Sequence, residues 1–166
     1  MTPVDAREEQ AHEAWDAGDL PRAFQLFRSC AYEGLRSAMM NLGFFYDEGL
    51  GTPASKHLAK IWYRKARHAG DFVAANNLAI LFRERHAHRS TFHWFRKAAL
   101  DGDGDAWIEL AKCHLKGTGT SLSAARAREC LRRAMRSRFI TPAGREEAQT
   151  LLRVQGVLQS LSYRRS

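Results

Sequence analysis

The chain has only four prolines and three cysteines in 166 residues, and no apolar run long enough to cross a bilayer. Each shortage excludes something. Four prolines beside 12 glycines rule out a collagen-like or linker-rich polypeptide. Cys30, Cys113 and Cys130 are odd in number and lack paired Cys-x-x-Cys spacing, so reduced, mostly buried thiols are expected. The most apolar stretch, Phe72 to Phe82, is 11 residues long and contains Asn76 and Asn77. A membrane span needs about 20 apolar residues. Asp5, Glu8 and Glu9 stand where an export signal would carry basic and then apolar residues. A cytoplasmic protein with no membrane partner is the expectation.

What is present describes an ordinary folded chain. It is 45% hydrophobic and 27% charged, with a formal charge of +8. At this length one domain or one short array is expected. The charge is uneven: residues 1–50 sum to −5, residues 51–125 to +6 and residues 126–166 to +7.

The sequence also repeats itself. Ala38-Met-Met-Asn-Leu-Gly-Phe-Phe-Tyr-Asp-Glu-Gly49 aligns with Ala74-Ala-Asn-Asn-Leu-Ala-Ile-Leu-Phe-Arg-Glu-Arg85 and with Ala106-Trp-Ile-Glu-Leu-Ala-Lys-Cys-His-Leu-Lys-Gly117. The offsets are 36 and 32 residues. A second block recurs as Ile61-Trp-Tyr-Arg-Lys-Ala66, His93-Trp-Phe-Arg-Lys-Ala98 and, more weakly, Cys130-Leu-Arg-Arg-Ala134. Residues around Trp15, Gly18, Ala23, Phe27, Cys30 and Gly34 form a divergent further copy.

Each block has helical periodicity. Ala38, Leu42, Phe45, Tyr46 and Gly49 make one apolar stripe, and strand alternation fails throughout. The following glycines suit C-terminal caps. Asp19-Leu-Pro21, Thr52-Pro53 and Thr141-Pro142 read as helix starts. Ala59, Ala66, Ala98 and Ala134 are small where two helices must cross closely. The unit is therefore a helical hairpin, which cannot bury its own apolar face and must stack. An all-α solenoid follows, as one domain over 1–166. It comprises a divergent N-terminal hairpin at 1–37, repeats at 38–73, 74–105 and 106–138, a capping helix at 139–161 and a basic tail at 162–166. Ala148, Leu151, Leu152, Leu158 and Leu161 form the stripe of the capping helix.

Asn41-Leu-Gly43, Tyr46 and Gly49-Leu-Gly51, followed by Ala59, Trp62-Tyr63, Lys65-Ala66 and Gly70, resemble the Sel-1-like repeat, a relative of the tetratricopeptide repeat. The second copy loses the Gly-x-Gly turn, which becomes Arg85-His-Ala-His88; the third recovers Gly117-Thr-Gly119. The resemblance implies a non-catalytic protein-interaction module in which the first helix of each hairpin lines a concave face.

No chemistry of another kind emerges. Asp101-Gly-Asp-Gly-Asp105 opens like a calcium loop, but Ala106 and Lys112 occupy the positions that need Gly and Glu. Asp103 or Asp105 is expected to cap a helix instead. His86, His88 and His93 lack the spacing of a zinc site, and His114 sits at an aromatic position of its stripe. There is no phosphate loop and no nucleophile elbow. Neither a cofactor, a metal nor an enzymatic activity is expected.

The helical wheel puts a partner-binding row opposite the core stripe. It runs through Glu9, Glu13 and Asp16, then Met40, Phe44 and Asp47, then Asn76, Ile80 and Arg83, then Ile108, Lys112 and Leu115. Its apolar centre suits an extended peptide or helix, whose basic end the acids would attract and whose acidic end Arg83 and Lys112 would attract. An adaptor or regulator is one role for such a surface, and an immunity-type inhibitor of a toxin or effector is another. The rival class is nucleic-acid binding through Arg126, Arg128, Arg132, Arg133, Arg136 and Arg138, which few exposed aromatics accompany. The charge asymmetry also allows copies of the chain to associate through oppositely charged ends.

Overall fold

The structure, a computed structural model, describes the backbone of residues 2–163 and the side chains of residues 2–154. Its helices are α1 (Pro3–Asp16), α2 (Leu20–Tyr32), α3 (Arg36–Glu48), α4 (Lys56–His68), α5 (Val73–Glu84), α6 (His88–Leu100), α7 (Gly104–Lys116), α8 (Ala124–Arg136) and α9 (Pro142–Tyr163). No strand occurs among the described residues. The fold is all-α, as the periodicity predicts. The chain divides into two compact units, Met1–Leu81 and Phe82–Ser166, with the boundary inside α5. The single domain expected over 1–166 is therefore described as two units. The expected tail at 162–166, and Leu158 and Leu161 of the capping stripe, lie outside the residues whose side chains are described.

In the first unit, local signals set the helix starts. Thr2 and Asp5 form a reciprocal capping box at α1, and Asp19 accepts the Arg22 N–H at α2. Helix α1 packs on α2, α2 on α3 and α3 on α4. The shared core is built on Phe27, Leu42 and Phe45, all fully buried. Removing each from water contributes roughly 1.5–3 kcal/mol. Trp15 meets Phe27 and Phe45 edge-on, at centroid distances of 6.0 and 5.0 Å. Gly43 has a packing role: a Cβ there would stand 2.6 Å from the buried Tyr63 ring. The bare backbone lets α4 approach α3 closely.

In the second unit, α7 packs on α6, α8 and α9, and α8 packs on α9. Phe95, Leu110, Ala111, Leu131 and Ala134 are buried in its core. Asp103 caps α7, accepting the N–H groups of Asp105 and Ala106 at 2.9 and 3.1 Å. Thr141 caps α9 through Gly144, and its own N–H reaches Asp105 Oδ1 at 3.2 Å. The aspartate run is thus helix-start chemistry joining α7 to α9.

The Gly-x-Gly turns follow one plan in both units. Gly49 and Gly117 are left-handed and end α3 and α7. Two residues later, Gly51 and Gly119 are left-handed again, and each lies against a backbone carbonyl at the start of an earlier helix. For Gly51 this is Leu20 of α2; for Gly119 it is His88 of α6. The turns close through the N–H of Ser55 on Tyr46 O (2.7 Å) and of Ser123 on His114 O (2.9 Å). Ser55 and Ser123 then cap α4 and α8. Thr52-Pro53 is therefore not the start of α4: it lies within the turn, and the cap falls at Ser55, which has a helical N–H, that of Leu58, to accept.

The α5–α6 turn takes the shorter route of α1–α2. The His86 N–H binds Arg83 O and the Ala87 N–H binds Phe82 O, matching Gly18 on Trp15 O and Asp19 on Ala14 O. His86 therefore adopts φ 56°, the only positive φ on a non-glycine among the described residues.

Candidate interaction surfaces

In the first unit the wheel positions divide. Glu9, Glu13 and Asp16 are exposed on α1. Met40, Phe44, Asn76 and Ile80 are half-buried. Phe44 lies 5.8 Å from the Trp15 ring, and Met40 Sδ faces Asn77 Nδ2 at 3.8 Å. Each of these side chains therefore exposes only part of its surface. Asp47 does not belong to the recruiting acids. Its carboxylate pairs with Lys56 Nζ at 2.7 Å, accepts from the Tyr63 hydroxyl at 3.3 Å and is only 9% exposed.

In the second unit Ile108 departs from the expected row: it is 2% exposed. Helix α7 packs against three helices, α6, α8 and α9, so part of the face opposite its core stripe is covered too. Leu115 is half-buried and Arg83 exposed. The charges there are already engaged. Glu109 accepts from Arg83 at 2.9 Å and from Lys112 at 2.7 Å, and Lys112 also holds Glu147 of α9 at 2.8 Å. Burial disfavours the Lys112 charge, but the two glutamates outweigh it and hold its pKa above the usual lysine value.

A cavity of about 440 Å³ opens beside this network, lined by Arg83 at the end of α5, by residues of the α5–α6 turn, α6 and α7, and by Thr118. Sequence reasoning noted His86 and His88 as a basic loop but missed Lys116, Glu109 and Phe95. Their only signal is periodic: Glu109 and Lys116 fall three residues either side of Lys112 and Cys113, on one face of α7.

The thiols are free and buried. Burial pushes Cys30, Cys113 and Cys130 above the ordinary thiol pKa, which keeps them protonated and unreactive. His114 is buried, and its Nδ1 donates to the Ser121 carbonyl at 3.3 Å inside the α7–α8 turn. Among the described residues no group of three His, Cys, Asp or Glu side chains is placed to hold a metal ion. Of the arginines on and just after α8, Arg126, Arg132, Arg133, Arg136 and Arg138 are exposed and Arg128 is half-buried. Arg133 pairs with Glu129 at 3.0 Å and lies over the Trp107 ring at 5.0 Å.

Paired helices, left-handed turn glycines and recurrent alanine crossings define an α-solenoid repeat protein. The chain belongs to the Sel1 repeat family, whose profile matches residues 36–71, 87–103 and 105–136. It is similar to the sel1-like repeat-containing protein L21 of Acanthamoeba polyphaga mimivirus, with 33% identity over 76 residues, covering 46% of this chain and 14% of that protein. It is also similar to protein NMB1327 of Neisseria meningitidis serogroup B, with 35% identity over 99 residues, covering 60% of this chain and 21% of that protein. The chain therefore spans a minor part of the relatives it matches. A Sel1 repeat protein from Oxalobacter formigenes has the same fold, with a TM-score of 0.74 and 23% identity over 81% of this chain and 58% of that one. So does c5321, a protective antigen of uropathogenic Escherichia coli with an SLR fold, at TM-score 0.73 and 20% identity over 92% of this chain and 38% of that one. Sel1 repeats are scaffolds that generally mediate protein–protein interaction. No helix among the described residues is long and apolar enough to cross a membrane.

Proposed function

We propose that the chain is a non-catalytic, cytoplasmic interaction module of the adaptor or regulator type. The observation that carries this is the first unit's combination of exposed Glu9, Glu13 and Asp16 with half-buried Met40, Phe44 and Ile80. Apolar edges beside a cluster of like charges fit a partner segment with an apolar face and a basic flank. Three buried, unpaired thiols fit a reducing compartment. The α8 arginines make a weaker case for nucleic acid, since Trp107, an aromatic beside them, is already under Arg133. End-to-end self-association through the acidic N-terminal and basic C-terminal residues belongs to the same reading.

The reading is tested with a triple charge reversal, Glu9→Lys/Glu13→Lys/Asp16→Lys, at exposed positions that leave the core intact. A partner that co-purifies with the wild-type chain should be lost with the variant, while the circular dichroism spectrum is unchanged. Equal recovery by both proteins would refute the surface. Phe44→Glu is a poorer probe, because Phe44 also packs on Trp15.

A further inference from the structure

The 440 Å³ cavity of the second unit is cationic for reasons that can be counted. Arg83, Lys112 and Lys116 bring three permanent positive charges to its wall, and His86 and His88 bring two imidazoles with ring centroids 6.3 Å apart. One acid, Glu109, lines it and serves two cations at once. Glu147 reaches Lys112 from α9. Lys116 has no ion-pair partner among the described residues. The wall thus holds more donors than carboxylate oxygens to receive them.

The floor beneath these charges is buried and largely apolar. Phe95 is 1% exposed, and the Cys113 thiol is held protonated by burial. A charge contact beside such a wall is screened less than one in open water. The volume suits a small ligand or one to three side chains. Backbone conformation points to the same place. The left-handed turn residue is Gly in the comparable α1–α2 turn, yet His86 adopts that conformation at the cavity wall. A non-glycine residue held there costs about 1–3 kcal/mol, and such strain clusters at ligand sites.

We propose that this cavity binds an acidic segment of a protein partner, seating a side-chain carboxylate on exposed Lys116 beside Lys112 and the His86 and His88 imidazoles. The interaction already present between Lys112 and Glu147 is a carboxylate from another helix on the same lysine. The proposal rests on the chain being a protein-binding module, and it adds the chemistry of what that module reads.

The test needs no native partner. The peptide Ac-Glu-Phe-Glu-NH₂ is titrated into the full chain at constant ionic strength, with NMR shifts read at His86, His88, Phe95, Lys112 and Lys116. Ac-Gln-Phe-Gln-NH₂ and inorganic phosphate are the comparison probes. Saturable shifts at these residues are expected for the acidic peptide, with affinity at least about tenfold weaker for the glutamine peptide and for Lys116→Gln, an exposed change that leaves the core intact. Absence of saturable shifts, or equal binding of both peptides, would overturn the site. Phosphate binding as tightly as the acidic peptide would also overturn it, because the cavity would then be a general anion site. Loss of the Glu9/Glu13/Asp16 surface would leave this titration unchanged, so failure of the cavity and failure of the module reading are separable.

Discussion

Asp103 shows how one side chain can serve a fold at a cost. It caps α7 with two accepted N–H groups, yet burial pushes its carboxyl above the ordinary aspartate pKa, against the opposing pull of those donors. For an acid raised by folding, the stabilising contribution is complete below the unfolded value and is lost as pH rises through the folded one. Asparagine keeps the capping oxygen and removes the charge. Asp103→Asn should therefore exceed the wild type in urea midpoint at about pH 7, and the gap should close as pH falls below about 3.9, the unfolded value, where the carboxyl is protonated in both the folded and the unfolded chain. A variant that is less stable at neutral pH would show that the capping charge outweighs its burial. The sequence announced a cap at Asp103 or Asp105 but not this balance, because the residues that close over this turn, Ser137, Phe139 and Ile140, are remote in the chain. The same limit applies to Asp47. The helical wheel puts it in the solvent-facing row, and only the fold brings Lys56 and Tyr63 to it.

Each helix was legible from its own periodicity, and the core register holds in all three copies: Ala38, Ala74 and Ala106 are at most 1% exposed, and Leu42, Leu78 and Leu110 at most 2%. What periodicity omits is whatever covers a helix from beyond its own hairpin. Ile108 is buried on a helix with three packed neighbours, whereas Met40, at the matching position of the first copy by the wheel, stays half-buried. The turns carry a related lesson. Gly117 and Gly119 have similar left-handed backbones, but a Cβ on Gly117 finds its nearest neighbour at 3.5 Å, while one on Gly119 would fall on the His88 carbonyl. Gly117→Ala should cost about 1–2 kcal/mol for the backbone alone. Gly119→Ala should lose about 1–3 kcal/mol more, because the start of α6 must move away. Urea unfolding of the two variants side by side measures this directly. Equal losses would mean that the second glycine of the turn is needed for its conformation and not for helix docking.

Across the whole chain, the +8 charge turns out to belong to one half. The first unit has 9 basic and 10 acidic residues, and the second has 17 and 8, so they carry −1 and +9. The first unit is close to neutral only because its acids lie early: residues 1–50 sum to −5 and residues 51–81 have 5 basic residues against 1 acid. A second copy of the chain therefore offers its basic residues 126–166 to a complementary acidic segment, and the exposed Glu9, Glu13 and Asp16 are the charges most open to it. Contacts of this kind between solvated side chains act over about 10 Å at 0.1 M salt and shrink as salt is added. Sedimentation velocity in dilute buffer should show a concentration-dependent dimer or longer species that dissociates as sodium chloride rises toward about 0.3 M. The Glu9→Lys/Glu13→Lys/Asp16→Lys chain should remain monomeric at both salts. A dimer of the wild type that is indifferent to salt, or one that the charge reversal leaves intact, would mean that association runs through apolar surface, and Met40, Phe44 and Ile80 would then be the residues to change.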